Sequence, residues 1–291
     1  MSDTASFDGT RLARYAWGPE EAPVVVLVHG LGLSASSWER VVGLLAGEHR
    51  VVAYDLRGHA QSGDARSGDY SMRAQALDLD AVLRDCVPDG RGAVVVGNSL
   101  GGGVITAHAH HCGGERVAGA VFAGSGASAV TAPGLPARHL PERAEAVLRT
   151  GWLKVFKGVV VVGRTIRPVE ALTDRVVRRV AFTSHAPQEA VARVRDDFLG
   201  TRPVALARTA LASVGSDGQR FADELRVPAL VLHGARDPEV GDEEAQRLVG
   251  ALPDGELVTL RGEGHMLPLT DPRFVAEHVA RWVRRVHEVR R

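Results

Sequence analysis

The pentapeptide Gly97-Asn98-Ser99-Leu100-Gly101 constrains this chain more than any other feature. It follows an aliphatic run, Ala93-Val94-Val95-Val96, and opens an Ala- and His-rich stretch of helical character, Leu100 to Cys112. A serine flanked by glycines between a buried strand and a helix is the sequence form of a strand–turn–helix elbow. The turn is so tight that the backbone nearly meets itself, and both flanks need residues without a Cβ. The serine is then held in a strained conformation, its hydroxyl pushed out at the carboxyl end of the strand. Such a pentapeptide also arises by chance among 33 glycines, so its setting decides.

That setting is a rhythm of short apolar runs and longer helical patterns. Val24 to Val28 reads as a fully buried strand ending in His29-Gly30-Leu31-Gly32, and Trp38 to Leu45 as a helix. Val51 to Tyr54 is the next strand, ending at Asp55 and the loop Arg57-Gly58-His59-Ala60-Gln61-Ser62-Gly63. Residues 71–86 carry apolar side chains at helical spacing. Strands are expected at 94–96, 117–123, 229–232 and 257–260, and a closing helix at 272–289. Continuous aliphatic strands separated by helices predict a parallel sheet covered on both faces. Such sheets bind ligands at the carboxyl ends of their strands.

The rhythm breaks between about 127 and 210. Pro133, Pro136 and Pro141 open a passage with helical patterns at 142–150, 168–182 and 187–198 and no strand–helix alternation. We read it as a helical cap inserted over the strand ends, so that 1–126 and 211–291 form the core and 127–210 the cap. Trp152, Phe156, Phe182 and Phe198 are its large apolar side chains. Each packs cap helices in the simplest reading, but a cap over a strand edge has one face to spare, and some should line a pocket. Trp152, Phe156 and Phe182 are the candidates there, with Met266 on the core side.

Bulk properties mainly exclude. Lys+Arg and Asp+Glu number 35 each, so neither nucleic acid nor an anionic membrane is an expected partner. The first residues, Met1 to Ser6, show no basic start or apolar core of a signal peptide, and no aliphatic run is long enough to span a bilayer. The expectation is a cytoplasmic protein with Cys86 and Cys112 as reduced thiols. His108 and Cys112 share a helix face at i, i+4, but two ligands are not a site, and no metal or other cofactor is expected. No Lys-Ser/Thr follows the glycines around Ser99, which removes the phosphate-loop reading.

A serine hydroxyl needs a base within hydrogen-bond reach, and that base needs a partner to fix its tautomer. Asp237 follows the strand at 229–232, and His265 follows the strand at 257–260. Twelve histidines are present; His265 stands out by position, not type. The strand at 117–123 ends in Gly124-Ser125-Gly126 and offers no competing acid, and Glu263 is too near His265 in sequence to orient it. An oxyanion would need two preorganised N–H donors: the backbone N–H of Leu100 at the start of its helix, and that of Leu31 in the His29-Gly30-Leu31-Gly32 loop.

With these residues in this order, the chain resembles the α/β-hydrolases that carry a helical cap, over residues 20 to 288. The resemblance implies an eight-stranded, mostly parallel, doubly wound sheet with one early antiparallel strand, and a mainly structural role for Asp55. It implies a serine hydrolase with Ser99 as nucleophile, His265 as base and Asp237 as orienting acid. The substrate would be an ester or lactone of a small, largely apolar molecule. Ser99 argues against the branches with an aspartate nucleophile, the haloalkane dehalogenases and epoxide hydrolases. The Gly-Asn-Ser elbow resembles that of carbon–carbon bond hydrolases, but these carry Trp after the catalytic His, where this chain has Met266. Perhydrolases often have Met after the serine, where this chain has Leu100. Two further alternatives are a lyase or cyclase using the same triad and a non-catalytic ligand-binding member.

Overall fold

The computed structural model describes residues 1–126, 170–214 and 218–289. Eight strands form one sheet: β1 (Ser2–Ala5), β2 (Arg11–Trp17), β3 (Val24–Val28), β4 (Arg50–Tyr54), β5 (Ala93–Asn98), β6 (Val117–Ala123), β7 (Ala229–Gly234) and β8 (Gly255–Leu260). Their order is β1-β2-β4-β3-β5-β6-β7-β8. β2 pairs antiparallel with both β1 and β4, and every other pairing is parallel, so β2 is the strand that runs against the rest.

Helices α1 (Glu39–Leu45), α2 (Met72–Cys86), α3 (Leu100–Cys112), α7 (Gly218–Ala222), α8 (Asp242–Ala251), α9 (Leu267–Thr270) and α10 (Pro272–Val289) flank the sheet. Helices α4 (Glu170–Ala181), α5 (Gln188–Gly200) and α6 (Pro203–Val214) lie in the insertion between β6 and β7. The architecture is an α/β-hydrolase fold with an inserted helical cap; α6 runs on through residue 210.

Strand periodicity divides the core in two. Val24, Val26 and Val28 of β3, with Ala93 and Val95 of β5, pack under α2 and α3 against Leu79, Leu83, Val104 and Ile105. Val25 and Leu27, with Val94 and Val96, face the other way onto α1 and α10, against Val41, Leu45, Trp282 and Val283. A strand buried on both faces has no polar face to show, and its sequence is therefore a continuous aliphatic run.

The cap sits on the loop that follows β3. Ser34 donates through Oγ to Asp197 Oδ2 at 2.8 Å, and Arg193 donates to Ser36 Oγ at 2.8 Å. Leu33 from that loop packs in one buried cluster with Phe182, Val191 and Val194 of the cap and Met266 of the core. Among the described residues, no helix is long and apolar enough to cross a membrane.

Candidate active site

The elbow has the crowding its glycines foretell. A Cβ on Gly97 would lie 2.4 Å from the carbonyl carbon of Gly101, and one on Gly101 would lie 2.3 Å from the carbonyl oxygen of Val28. No side chain fits at either position. Ser99 itself has φ 51° and ψ −115°, a strained backbone state for a residue with a Cβ. Its N–H donates to Ala123 O at 3.2 Å, and the Asn98 amide donates to the same carbonyl at 2.9 Å. The Asn98 amide also reaches His265 O at 3.5 Å. The elbow and the backbone of His265 thus meet at the carboxyl ends of β5 and β6, and Asn98 works there as a bracket.

Asp237 and His265 come together across 28 residues of chain. His265 Nδ1 lies 2.8 Å from Asp237 Oδ2, and both side chains are buried. Asp237 Oδ1 accepts the backbone N–H groups of Glu239 and Val240 at 2.8 and 2.9 Å. The carboxylate is therefore fixed by its own loop and accepts Nδ1–H, which fixes the ring's tautomer. Among the described residues, His265 Nε2 makes no hydrogen bond.

Sequence reasoning missed Glu239. Its Oε2 stands 3.5 Å from His265 Nε2, on the ring edge opposite Asp237. Burial draws the His265 pKa down, but the charges of Glu239 and Asp237 and the hydrogen bond to Asp237 outweigh it, and the ring rises to about 9. Burial pushes the Glu239 carboxyl above its usual range, against the pull of His265. The available signal was an acid two residues after Asp237 on the same loop.

The turn after β3 is braced by two neutral histidines. His59 Nε2 accepts the Gly32 N–H at 3.2 Å, and His29 Nε2 accepts the Leu56 N–H at 3.0 Å. These contacts place the ring protons on Nδ1, where His59 faces Arg57 O and His29 faces Gly30 O. Burial holds His29 down at about 4; burial, helped by the charge of His29, holds His59 at about 3. Within the turn, Gly32 N–H is committed to His59 and Leu33 N–H to Gly30 O. Leu100 is the first residue of α3, so its N–H has no carbonyl one turn back.

Asp55 knits backbone. Its Oδ1 accepts Ala35 N–H at 2.8 Å, and its Oδ2 accepts Gln61 N–H and the Tyr15 hydroxyl at 3.1 Å each. Phe182 and Met266 are buried in the Leu33 cluster between cap and core. Trp152 and Phe156 lie outside the described residues. Phe198 reaches the turn instead: a Cβ on Gly32 would lie 2.5 Å from its ring.

The His108–Cys112 face gains Asp80 from α2, and the three ligating atoms fall within 4.8 Å of one another. Asp80 Oδ2 is taken by Arg84 at 2.5 Å, and its Oδ1 lies 3.5 Å from His108 Nε2. Burial pushes the Cys112 thiol up to about 11. Asp80 is thus held by Arg84 on its own helix and faces His108 of α3. Cys86 and Cys112 are both free.

A family model described as "Alpha/beta hydrolase family" matches residues 25–278. The chain belongs to that family. It is an enzyme of the α/β-hydrolase class. It is 26% identical over 292 residues to a bifunctional esterase/perhydrolase of Acinetobacter calcoaceticus, covering 98% of this chain and all of that protein. It is 37% identical over 123 residues to a non-heme chloroperoxidase of Streptomyces lividans, a match spanning 42% of this chain and 44% of that one. Among solved structures it resembles the enol-lactonase of Burkholderia xenovorans LB400, with TM-score 0.76 and 25% identity over 97% of this chain and 99% of the other.

Proposed function

We propose that this α/β-hydrolase is a serine hydrolase that opens an ester or lactone of a small, largely apolar molecule through an acyl-enzyme. The observation that carries this reading is the buried 2.8 Å contact between His265 Nδ1 and Asp237 Oδ2, at the strand edge where Ser99 occupies its strained elbow. Similarity to an esterase and an enol-lactonase supports the substrate class.

In this mechanism His265 Nε2 takes the Ser99 proton as Oγ attacks the carbonyl carbon. The backbone N–H groups of Leu31 and Leu100 stabilise the resulting oxyanion. Collapse breaks the C–O bond to the leaving oxygen, which takes the proton from Nε2. Water then attacks the acyl-enzyme, giving its proton to His265, and Ser99 leaves with that proton as the carboxylic acid is released. Asp237 orients the ring and stabilises the imidazolium formed twice in the cycle. Residues 127–210 form the cap over a core of 1–126 and 211–291, and the turn carrying Leu31 and Leu33, with Phe198 of α5 against it, forms part of the pocket wall. A cytoplasmic setting fits thiols that are both free.

The test is labelling by a fluorophosphonate probe and turnover of p-nitrophenyl esters. Both are lost in Ser99→Ala if the assignment is right, and retained labelling in that variant sinks it. Hydrolysis in ¹⁸O water places the label in the released acid. An unlabelled acid, or an unsaturated or cyclised product, moves the chemistry to elimination or cyclisation.

A further inference from the structure

One face of α3 carries chemistry that acyl transfer does not use. His108 and Cys112 stand one turn apart on it, Asp80 meets them from α2, and the three ligating atoms lie within 4.8 Å of one another. Sequence spacing offers two of these ligands, and the packing of α2 on α3 supplies the third. The His108 side chain is 1% exposed, yet among the described residues its Nε2 makes no hydrogen bond. A buried ring nitrogen left without a bond is costly. This one is aimed at Asp80 Oδ1 across 3.5 Å, too long for a good N–H···O bond. The separation suits two ligands of one ion: on a tetrahedral zinc, with bonds of about 2.0–2.3 Å, neighbouring donors stand about 3.3–3.6 Å apart. Bringing all three donors to that spacing takes side-chain shifts of about an ångström. Cys112 is free to make one, since it is only partly buried and its Sγ has a loose 3.9 Å contact with Ala76 O.

We propose that Asp80, His108 and Cys112 form a zinc site between α2 and α3, with Oδ1, Nε2 and Sγ as ligands and water in the fourth position. Imidazole and thiolate select zinc over magnesium or calcium. Asp80 divides its oxygens: Arg84 holds Oδ2 at 2.5 Å and so orients the carboxylate from outside the ligand set, while Oδ1 is left for the ion. Binding turns the Cys112 thiol into a thiolate and releases that proton to water. Arg73, Arg84, Arg116 and Glu115 also act on this group. A divalent ion held by one carboxylate and one thiolate adds no net charge to it, so the arginines do not repel the assembled site. Three protein ligands hold zinc less tightly than a closed set of four, and the ion is exchangeable. His108 lies nine residues beyond Ser99, about 13 Å along α3. The ion therefore ties together two helices of the core and takes no part at the elbow.

The experiment strips the full chain with EDTA and titrates it with Co²⁺, followed by Zn²⁺. Wild type should bind about one Co²⁺ per chain. It should show the visible bands of tetrahedral cobalt and a near-ultraviolet thiolate-to-cobalt charge-transfer band, and Zn²⁺ should erase both. Zn²⁺ alone should raise the urea midpoint, because it binds the folded chain in preference to the unfolded one. Cys112→Ser should lose the charge-transfer band, and His108→Gln and Asp80→Asn should each lose stoichiometric binding. Cys86→Ser, which removes the other thiol, should keep the spectrum of wild type. Absence of the charge-transfer band in wild type under excess Co²⁺ overturns the inference even if every variant fails to fold. A band kept in Cys112→Ser, or lost in folded Cys86→Ser, places the metal elsewhere and overturns it too. Turnover of p-nitrophenyl acetate should be equal in stripped and zinc-loaded protein. Activity that vanishes on stripping and returns with zinc overturns the assignment of the ion to the helix pair alone.

Discussion

The backbone N–H of Gly32 donates to Nε2 of His59, 3.2 Å away and 27 residues distant in sequence. This bond ties the turn after β3 to the loop after β4. The turn carries Leu31, whose N–H we assign to the oxyanion, so its geometry has to be set before substrate arrives. His59→Ala removes the acceptor and leaves a buried N–H unpaired. The expected result is a fall in kcat of about tenfold, smaller than the roughly 10²–10³ for outright loss of an oxyanion donor. KM should change little. His59→Gln, whose side-chain oxygen can accept the same N–H, should recover part of the loss. Wild-type kcat in His59→Ala would mean that the turn is held without this brace.

Asp237→Asn separates orientation from charge. The side-chain oxygen of asparagine can still accept the Glu239 and Val240 N–H groups that now bind Asp237 Oδ1. Its NH₂ would then face His265 Nδ1, which must accept rather than donate. The ring proton moves to Nε2, and the base loses its lone pair where Ser99 needs it. We expect kcat to fall roughly 10⁴-fold with the fold intact, checked by steady-state kinetics and circular dichroism. A loss below tenfold would remove Asp237 from the proposed triad.

The parts of the fold that the sequence displayed are those buried on two faces. Val24 to Val28 and Val94 to Val96 read as strands because both of their faces pack, one under α2 and α3 and the other under α1 and α10. β1 and β2 were illegible for the converse reason. They lie at the sheet edge, β1 buries only Thr4, and β2 mixes buried Leu12 and Ala13 with half-exposed positions. No aliphatic run marks such strands. Helix α6, Pro203–Val214, went unread because its buried positions are mostly small residues, Ala205, Ala207, Thr209, Ala210 and Ser213, which give little apolar contrast at helical spacing. Asp237 and His265 were legible as positions after late strands, and the structure joins them at 2.8 Å. Glu239 was not, because its meaning lies in where the loop after Asp237 folds back, and no spacing rule encodes that.

Arg57 is the main polar anchor beneath this edge. It has no solvent exposure; its Nε and Nη2 each donate to Asp78 at 2.6 Å, and its Nη1 donates to Asp69 O at 2.7 Å. Removing one partner of a buried pair strands the other's charge. Arg57→Ala should therefore cost about 3–5 kcal/mol of stability in urea unfolding. Arg57→Lys should not restore it, since an ammonium cannot bridge both carboxylate oxygens. The double variant Arg57→Ala/Asp78→Ala should lose less than the sum of the two single losses, because the second change removes the stranded charge.

The buried histidines predict how stability depends on pH. His29 is held at about 4 by burial, against 6.5 for a free imidazole. Between those values the unfolded chain binds a proton that the native ring refuses, so stability rises with pH there. The contribution of His29 is complete above pH 6.5 and is lost as pH falls through about 4; the loss should amount to roughly 3 kcal/mol. His59, at about 3, acts in the same direction. His265 acts in the opposite one: its ring, raised to about 9, contributes fully below pH 6.5, and that contribution is lost as pH rises through 9. Urea unfolding from pH 4 to pH 9.5 should therefore give a dome rather than a plateau. In His29→Gln the whole curve drops by the cost of the lost contacts, but its acid side should flatten, since position 29 no longer titrates. An acid slope equal to that of wild type would show that the His29 ring is protonated in the native state.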